Sequence, residues 1–208
     1  MAMSKSSKAS KRPNSRSTRP GGVIRIIGGD WRGRKLPVLE LNGLRPTSDR
    51  VRETLFNWLQ FEIAGKRCLD VFAGSGALGF EAKSRGAAEV LMFEKSEAVA
   101  SQLRQNSQLL KAEAIKVQAT DSLQYLAHKA EKTFDLVFID PPFNQHLVQS
   151  TLDTLFENAW INHQTWLYIE QEKKLDWPTL PNGWQIYREK TTSQTRFALW
   201  HYVEPSQF

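Results

Sequence analysis

The residues best suited to chemistry in this sequence are Asp140-Pro141-Pro142-Phe143, which directly follow the apolar run Leu136–Ile139. That run has the length and the Val, Phe and Ile content of a buried strand. Each proline fixes its own φ and favours an extended conformation in the residue before it. We therefore expect a carboxylate, a carbonyl and an aromatic ring to be held rigidly where the strand ends. This arrangement suits an amino group on a flat base.

The alternative is that Asp-Pro-Pro only turns the chain after a strand. Open α/β sheets, however, bind their ligands at the carboxyl ends of their strands. The choice between the two interpretations depends on what else the sequence places at that edge.

A glycine-rich segment supplies a second candidate site after the strand residues Cys68–Phe72. Ala73-Gly74-Ser75-Gly76 begins a G-x-G-x-x-G pattern that precedes a predicted helix, and Glu94 ends the next predicted strand. The pattern is typical of nucleotide-cofactor sites in which the acidic residue holds ribose hydroxyls. A dinucleotide and S-adenosylmethionine both contain such a ribose.

Asp70 helps to separate these two cofactors. It lies four residues before Gly74, beside the turn where the pyrophosphate of a dinucleotide would bind. A carboxylate there repels phosphate but suits the ammonium and sulfonium charges of S-adenosylmethionine. The sequence contains no recognisable hydride-transfer site, so we favour S-adenosylmethionine over a nicotinamide cofactor.

Asp121 and Ser122 follow the third predicted strand at the same edge of the sheet. Asp121 is placed to accept a hydrogen bond from an adenine amino group, with Ser122 as a second polar contact. Asp is also a good helix N-cap, and the two roles are compatible.

Positive charge is concentrated at the front of the chain. Residues 1–60 contain thirteen Lys and Arg against four Asp and Glu, whereas the remainder contains fifteen against eighteen. A polyanion is therefore the expected partner. Residues 1–20 contain six cations and almost nothing apolar, so we expect a disordered basic arm. It is either a solubilising tail or, as we favour, an arm that neutralises phosphates.

A β-hairpin is predicted next, with strands at Val23–Ile27 and Trp31–Val38 around the turn Gly28-Gly29-Asp30. Its cations, Arg25, Arg32, Arg34 and Lys35, are candidate RNA contacts. Trp31 either grips RNA or fixes the hairpin to the core.

A helix is then predicted from a cap at Thr47 or Ser48. Its core face carries Val51, Leu55, Trp58 and Leu59 at helical spacing. Arg45, Arg50 and Arg52 belong to its start and polar side. Such charges ordinarily face solvent, but their proximity to the basic hairpin makes them candidates for RNA or cofactor contact.

From residue 67 onward, predicted strands alternate with helices. Strands are expected near 67–72, 89–94, 114–118, 134–140 and 165–170, with helices near 77–85, 96–110, 121–130 and 145–158. This alternation predicts a doubly wound, mostly parallel α/β sheet. Two final strands, 184–190 and 196–203, have no helix between them and should pair antiparallel. We thus divide the chain into an arm at 1–20, a hairpin extension at 21–44 and a main domain at 45–208.

Other classes of site are not indicated. No stretch approaches the roughly 18–20 apolar residues of a membrane span, and the N-terminus has no apolar core of a secretory signal. The single Cys68 fits a reducing compartment, so we expect a cytoplasmic protein. The four histidines have no metal-ligand spacing, and no metal site is expected.

Taken together, these motifs resemble the RsmD family of bacterial 16S ribosomal RNA guanine-N2 methyltransferases, from about Val23 to the C-terminus. The glycine loop and Asp-Pro-Pro-Phe are shared by many amino-methyltransferases. Their combination with the segments 26–34 and 45–56 is much more specific. The resemblance implies a class I methyltransferase fold with a seven-stranded sheet and S-adenosylmethionine as cofactor.

The resemblance also implies roles for individual residues. Asp70 and the glycine loop would bind the methionine part, Glu94 the ribose and Asp121 the adenine, with Asp140–Phe143 as the catalytic motif. The full expected cofactor set is Asp70, Phe72, Ala73, Gly74, Ser75, Gly76, Glu94, Lys95, Asp121 and Ser122. The implied substrate is a guanine near the P site, in the 30S subunit or its assembly intermediate.

Two rival functions stay open at this point. A DNA amino-methyltransferase could carry a similar Asp-Pro-Pro motif, but the sequence has no separate target-recognition domain. A non-catalytic ribosome-assembly factor would not need Asp70, Glu94 and Asp140 together. Nothing in the sequence demands a dimer, so we expect a monomer.

Overall fold

A computed structural model describes residues 20–39 and 48–205. Within them the chain forms, in order, β1 (Pro20–Arg25), β2 (Lys35–Leu39), α1 (Asp49–Trp58), β3 (Arg67–Asp70), α2 (Ala77–Ser84), β4 (Glu89–Glu94), α3 (Glu97–Leu109), β5 (Ile115–Ala119), α4 (Ser122–Leu126), β6 (Leu136–Ile139), α5 (Leu147–Glu157), β7 (Trp166–Glu172), β8 (Trp184–Thr191) and β9 (Thr195–Tyr202). The predicted arm, apart from Pro20, and the predicted boundary at residue 44 lie outside the described residues.

The main sheet has seven strands in the order β5-β4-β3-β6-β7-β9-β8. β3 through β7 pair in parallel, whereas β9 runs antiparallel to both β7 and β8. The expected α/β class, the seven strands and the antiparallel C-terminal pair are confirmed. The chain proceeds outward from β3 in one direction and from β6 in the other. The crevice at the carboxyl ends of these two strands is the place where such sheets bind ligands.

Apolar residues cover both faces of the sheet, as alternation along buried strands requires. Phe138 belongs to one core cluster, which also contains apolar residues of α1, α2, α3 and the hairpin. Its neighbours Val137 and Ile139 belong to the other cluster, with α4 and α5. The sheet therefore fixes the position of its carboxyl edge from both sides.

An N-terminal hairpin is present, as predicted, and it is fastened to α2, but its strands are β1 and β2 and the connection 26–34 is longer than the predicted turn Gly28-Gly29-Asp30. Its connection donates the backbone N–H groups of Ile27 and Gly28 to the two carboxylate oxygens of Glu81, each at 2.8 Å. A Cβ at Gly29, which has φ +73°, would lie 1.8 Å from the carbonyl oxygen of Ser84. The Gly-Gly pair thus permits close docking. Trp31 packs against the core, which favours the second of its two predicted roles.

A local cap begins α1, whereas a long-range contact lies at the early end of α4. Ser48 caps α1 by accepting the Val51 N–H at 3.3 Å. The helix predicted near 121–130 ends at Leu126, where the indole N–H of Trp160 donates to the carbonyl oxygens of Leu126 and His128. The described residues contain no helix with the length and apolar content needed to span a membrane.

Candidate active site

A cleft of about 1350 Å³ opens at the carboxyl ends of the parallel strands. This volume is large enough for a nucleoside-sized ligand together with part of a second molecule. The residues that line it include both sequence motifs, Asp140–Phe143 and the glycine loop 73–75, as well as the acidic residues Asp70, Glu94 and Asp121. The sheet therefore brings together side chains that are up to 73 residues apart in sequence.

The glycine loop uses most of its own hydrogen-bond donors. Ala73 donates its N–H to the carbonyl of Phe93, and Gly76 donates to the carbonyl of Ala73. The Gly74 N–H goes to Glu94 Oε2 at 3.0 Å. Gly76 has φ +76°, and a Cβ there would lie 2.6 Å from Leu103 Cδ2. Only glycine combines this turn with this packing.

Asp70, at the end of β3, is 2% exposed and lines the cleft. Its Oδ2 accepts the Gly79 N–H from α2 at 3.1 Å. Burial raises the pKa of Asp70 to about 7; the nearby Glu94 adds to the rise and the Gly79 hydrogen bond opposes it. A cation placed beside this carboxyl would favour its ionised form.

Glu94, at the end of β4, holds two segments at once. Oε2 accepts from Gly74, and Oε1 accepts the Ser96 N–H at 2.7 Å. Burial raises its pKa, whereas the hydrogen bonds from Ser96 and Gly74 oppose that rise. Each carboxylate oxygen still has a lone pair for a hydroxyl donor.

These contacts discriminate between the two cofactor classes. In a dinucleotide site, loop and helix N–H groups bind pyrophosphate. Here the N–H groups of Gly74 and Gly79 donate to carboxylates instead. Asp70 and Glu94, each hydrogen-bonded to backbone N–H groups, fit a cationic ligand that carries a ribose, and they do not fit a pyrophosphate. These two carboxylates therefore suit S-adenosylmethionine.

Asp121 borders the far side of the cleft and caps α4 by accepting the Gln124 N–H. Its Oδ2 forms an ion pair with Lys95 Nζ at 2.9 Å, and this hydrogen bond lowers the pKa of Asp121. The hydroxyl of Ser122 donates to the carbonyl of Val71. Ser122 therefore joins α4 to the residue that follows β3, and its hydroxyl hydrogen is already used.

The Asp-Pro-Pro-Phe loop follows β6 and lines the cleft along its length. Pro141 is buried, and Phe143 is 39% exposed, so its ring is accessible to a stacking partner. The following residue, Asn144, has φ +60° and donates its N–H to Glu172 Oε1 of β7. The loop is thus held at both its strand end and its outer end.

Sequence reasoning missed several residues of the cleft. Glu170 of β7 is 6% exposed and lines it, as do Lys190 near the end of β8 and Thr192 and Gln194 of the turn between β8 and β9. Glu170 could have been found from the sequence, because an acidic residue within the largely apolar strand 166–172 indicates a functional position. The turn gave no comparable signal, because its position over the cleft depends on the order of strands in the sheet.

One predicted RNA contact is wrong. Arg52 is 1% exposed and lies inside the protein, where it forms ion pairs with Asp49 at 2.6 Å and Glu81 at 3.6 Å. It also donates to the carbonyl of Arg25 at 3.0 Å. Arg52 joins α1 to the hairpin and to α2, and it has no surface to offer to RNA.

The other predicted RNA contacts stay predictions. The exposed ones are Arg25, Arg32, Arg34, Lys35 and Arg50. Arg50 also lines the cleft, whereas Arg45 lies outside the described residues.

Among the described residues, no group of His, Cys, Asp or Glu is arranged to hold a metal ion.

Comparison with known proteins agrees with this architecture. A family model described as conserved hypothetical protein 95 matches residues 24–201. The Escherichia coli K12 protein named ribosomal RNA small subunit methyltransferase D is 46% identical over 190 residues, covering 91% of this chain and 94% of that protein. The Haemophilus influenzae protein of the same name is 48% identical over 183 residues, covering 86% and 94%.

Solved structures give the same result. The Escherichia coli protein yhhF superposes with a TM-score of 0.81 at 45% identity, covering 87% of this chain and 98% of that one. A Lactobacillus ribosomal protein L11 methylase, at 18% identity and a TM-score of 0.56 over 75% and 80% of the two chains, shares the fold alone. The sheet is that of a class I methyltransferase.

Proposed function

Because the chain belongs to the RsmD family, whose model is described as conserved hypothetical protein 95, we propose that it methylates small-subunit ribosomal RNA. The donor is S-adenosylmethionine, and the acceptor is the exocyclic N2 of one guanine near the P site. The substrate is the 30S subunit or its assembly intermediate. We expect the protein to act as a monomer in the cytoplasm.

The observation that carries this proposal is the shared cleft. The Asp140–Phe143 loop and the pocket formed by Asp70, Gly74 and Glu94 line one continuous space. A donor bound at the pocket and an amine held at the loop would meet there. Names of the relatives support RNA of the small subunit as substrate, and the resemblance to the family supports guanine N2.

The chemistry follows from the acceptors at the loop. The guanine N2 lone pair is delocalised into the ring, so this nitrogen is a weak nucleophile. Asp140 and the Pro141 carbonyl would accept its two N–H groups and let the nitrogen pyramidalise toward the methyl group. S-adenosylmethionine, when bound, supplies a methyl group on a sulfonium that leaves as a neutral thioether.

The N2 nitrogen must lose a proton once the new C–N bond has formed. Asp140 accepts that proton or passes it to water. Phe143 stacks on the base, a contact of about 1–3 kcal/mol in nucleic-acid sites. The base has to leave its stack to reach the cleft. The exposed hairpin cations would contribute salt-dependent affinity for phosphates.

Methyl transfer to three acceptors tests the function. Labelled S-adenosylmethionine is supplied with 30S particles that lack the modification, naked 16S RNA or duplex DNA, and the product is mapped by mass spectrometry. We expect one N2-methylguanine in the particles. Methylated DNA would favour a DNA methyltransferase, and no transfer despite RNA binding would favour a non-catalytic assembly factor.

A further inference from the structure

A second acidic residue, Glu170, lies next to Asp140 where the parallel strands end. β6 and β7 pair in parallel up to Ile139 and Ile169, so Asp140 and Glu170 are each the next residue along neighbouring strands. Neighbouring strands run about 4.8 Å apart. Strand alternation places both side chains on the face that carries Phe138 and Tyr168. Both residues line the cleft.

The structure holds the Glu170 carboxyl in place. Tyr168, itself fully buried, donates its hydroxyl to Glu170 Oε2 at 2.6 Å. A hydrogen bond from Thr195 also stabilises the carboxylate, although burial raises its pKa overall. A carboxylate has about four acceptor sites, so these two donors leave others facing the cleft. A buried carboxyl is costly to folding, and the mechanism above gives it no task.

We infer that Glu170 accepts the N1–H of the target guanine while Asp140 and the Pro141 carbonyl accept the two hydrogens on N2. This inference rests on the proposed function. Guanine presents N1–H and N2–H₂ next to each other on its Watson–Crick edge, the edge by which flipped bases are recognised. Two neighbouring carboxyls on one sheet face match two neighbouring donors.

Glu170 thereby supplies a selection that the Asp-Pro-Pro-Phe loop lacks. The loop accepts any exocyclic amino group on a flat ring. Adenine carries a lone pair at N1, which would face the Glu170 carboxylate without a hydrogen between them. Sites that hydrogen-bond a substrate N–H reject analogues that lack it, since a buried acceptor is left unpaired. Glu170 is thus a specificity residue for guanine.

The test compares guanine with 2-aminopurine at the methylated position of reconstituted 30S particles. 2-Aminopurine keeps the N2 amino group but has no N1–H. Wild-type protein should prefer guanine by about 10- to 100-fold in kcat/KM, the range for a hydrogen bond to a charged group. Glu170→Gln should lose about as much with guanine and lose nothing with 2-aminopurine, because its amide can donate to N1.

Further variants make the result decisive. Glu157→Gln, on the exposed end of α5, should match wild type with both bases. Tyr168→Phe keeps the Glu170 carboxylate but removes one of its two hydrogen-bond donors. This variant should lower kcat/KM for guanine several-fold, while S-adenosylmethionine affinity, measured by calorimetry, is unchanged. If Glu170→Gln does not fold, an unaltered Tyr168→Phe overturns the inference.

Two failures are distinguishable. Undiminished preference for guanine in folded Glu170→Gln overturns this inference and leaves the proposed function standing. Absence of N2-methylguanine from the wild-type product overturns both.

Discussion

Gly74 donates its backbone N–H to Glu94 Oε2 at 3.0 Å, while the other oxygen of the same carboxylate accepts from Ser96. Glu94, at the end of β4, therefore holds the glycine loop in place and is not an isolated acidic group. This contact occupies one of the loop N–H groups that would bind a pyrophosphate. Glu94 thus positions the loop, and the lone pairs that remain on its carboxylate are those that we propose bind a ribose.

Glu94→Gln should lower S-adenosylmethionine affinity by about 10- to 100-fold, because one amide cannot accept both backbone N–H groups. Isothermal titration measures the loss. Glu113→Gln, on an exposed loop before β5, is the matched control and should bind like wild type. Unchanged affinity in Glu94→Gln would remove this residue from the cofactor site.

Asp70 should make cofactor binding pH-dependent. Its pKa of about 7 in the ligand-free protein means that the carboxyl is mostly protonated at pH 6. A cationic ligand favours the ionised form, so binding releases a proton and affinity rises as pH rises. From pH 5.5 to 7 the gain should be about tenfold.

Asp70→Asn has no proton to release and should show weaker, pH-independent binding over the same range. Titrations in two buffers of different ionisation enthalpy count the released protons. Proton uptake by wild type, or an equal slope in Asp70→Asn, would be incompatible with this role.

Arg50 and Arg52 provide a matched pair on one helix. Arg52→Ala leaves the buried Glu81 without one of its cations and should lower the unfolding free energy by about 3 kcal/mol. Arg50 is exposed and lines the cleft. Arg50→Ala should change stability by less than about 0.5 kcal/mol and raise the KM for 30S particles. Denaturant titration distinguishes the two, and similar stability of both variants would show that the Glu81 network contributes little.

The sequence was sufficient for parts of the site that are local along the chain. The end of a strand, the glycine turn and the two prolines are short-range signals, and they predicted Asp70, Gly74, Glu94 and Asp140 at one edge. Arg52 was misplaced because helical spacing alone does not reveal that the hairpin covers that face of α1. Glu170 was missed because its proximity to Asp140 depends on the register of β6 and β7, which are joined through α5.

Removal of two hairpin cations should weaken RNA binding selectively. Arg32→Ala combined with Arg34→Ala should lower affinity for 30S particles and reduce the slope of log affinity against log salt by up to about 2. Affinity for S-adenosylmethionine should stay at the wild-type value. Equal loss of both affinities would show that these arginines serve the fold.

Methyl transfer by Asp140→Ala tests the central claim most directly. Asp140 follows the carboxyl end of β6, whereas the proposed cofactor contacts lie at the ends of β3 and β4 and at the start of α4. The variant should bind S-adenosylmethionine with an affinity within about threefold of wild type and should form no N2-methylguanine on 30S particles under single-turnover conditions. Turnover at the wild-type rate by this variant would contradict the account.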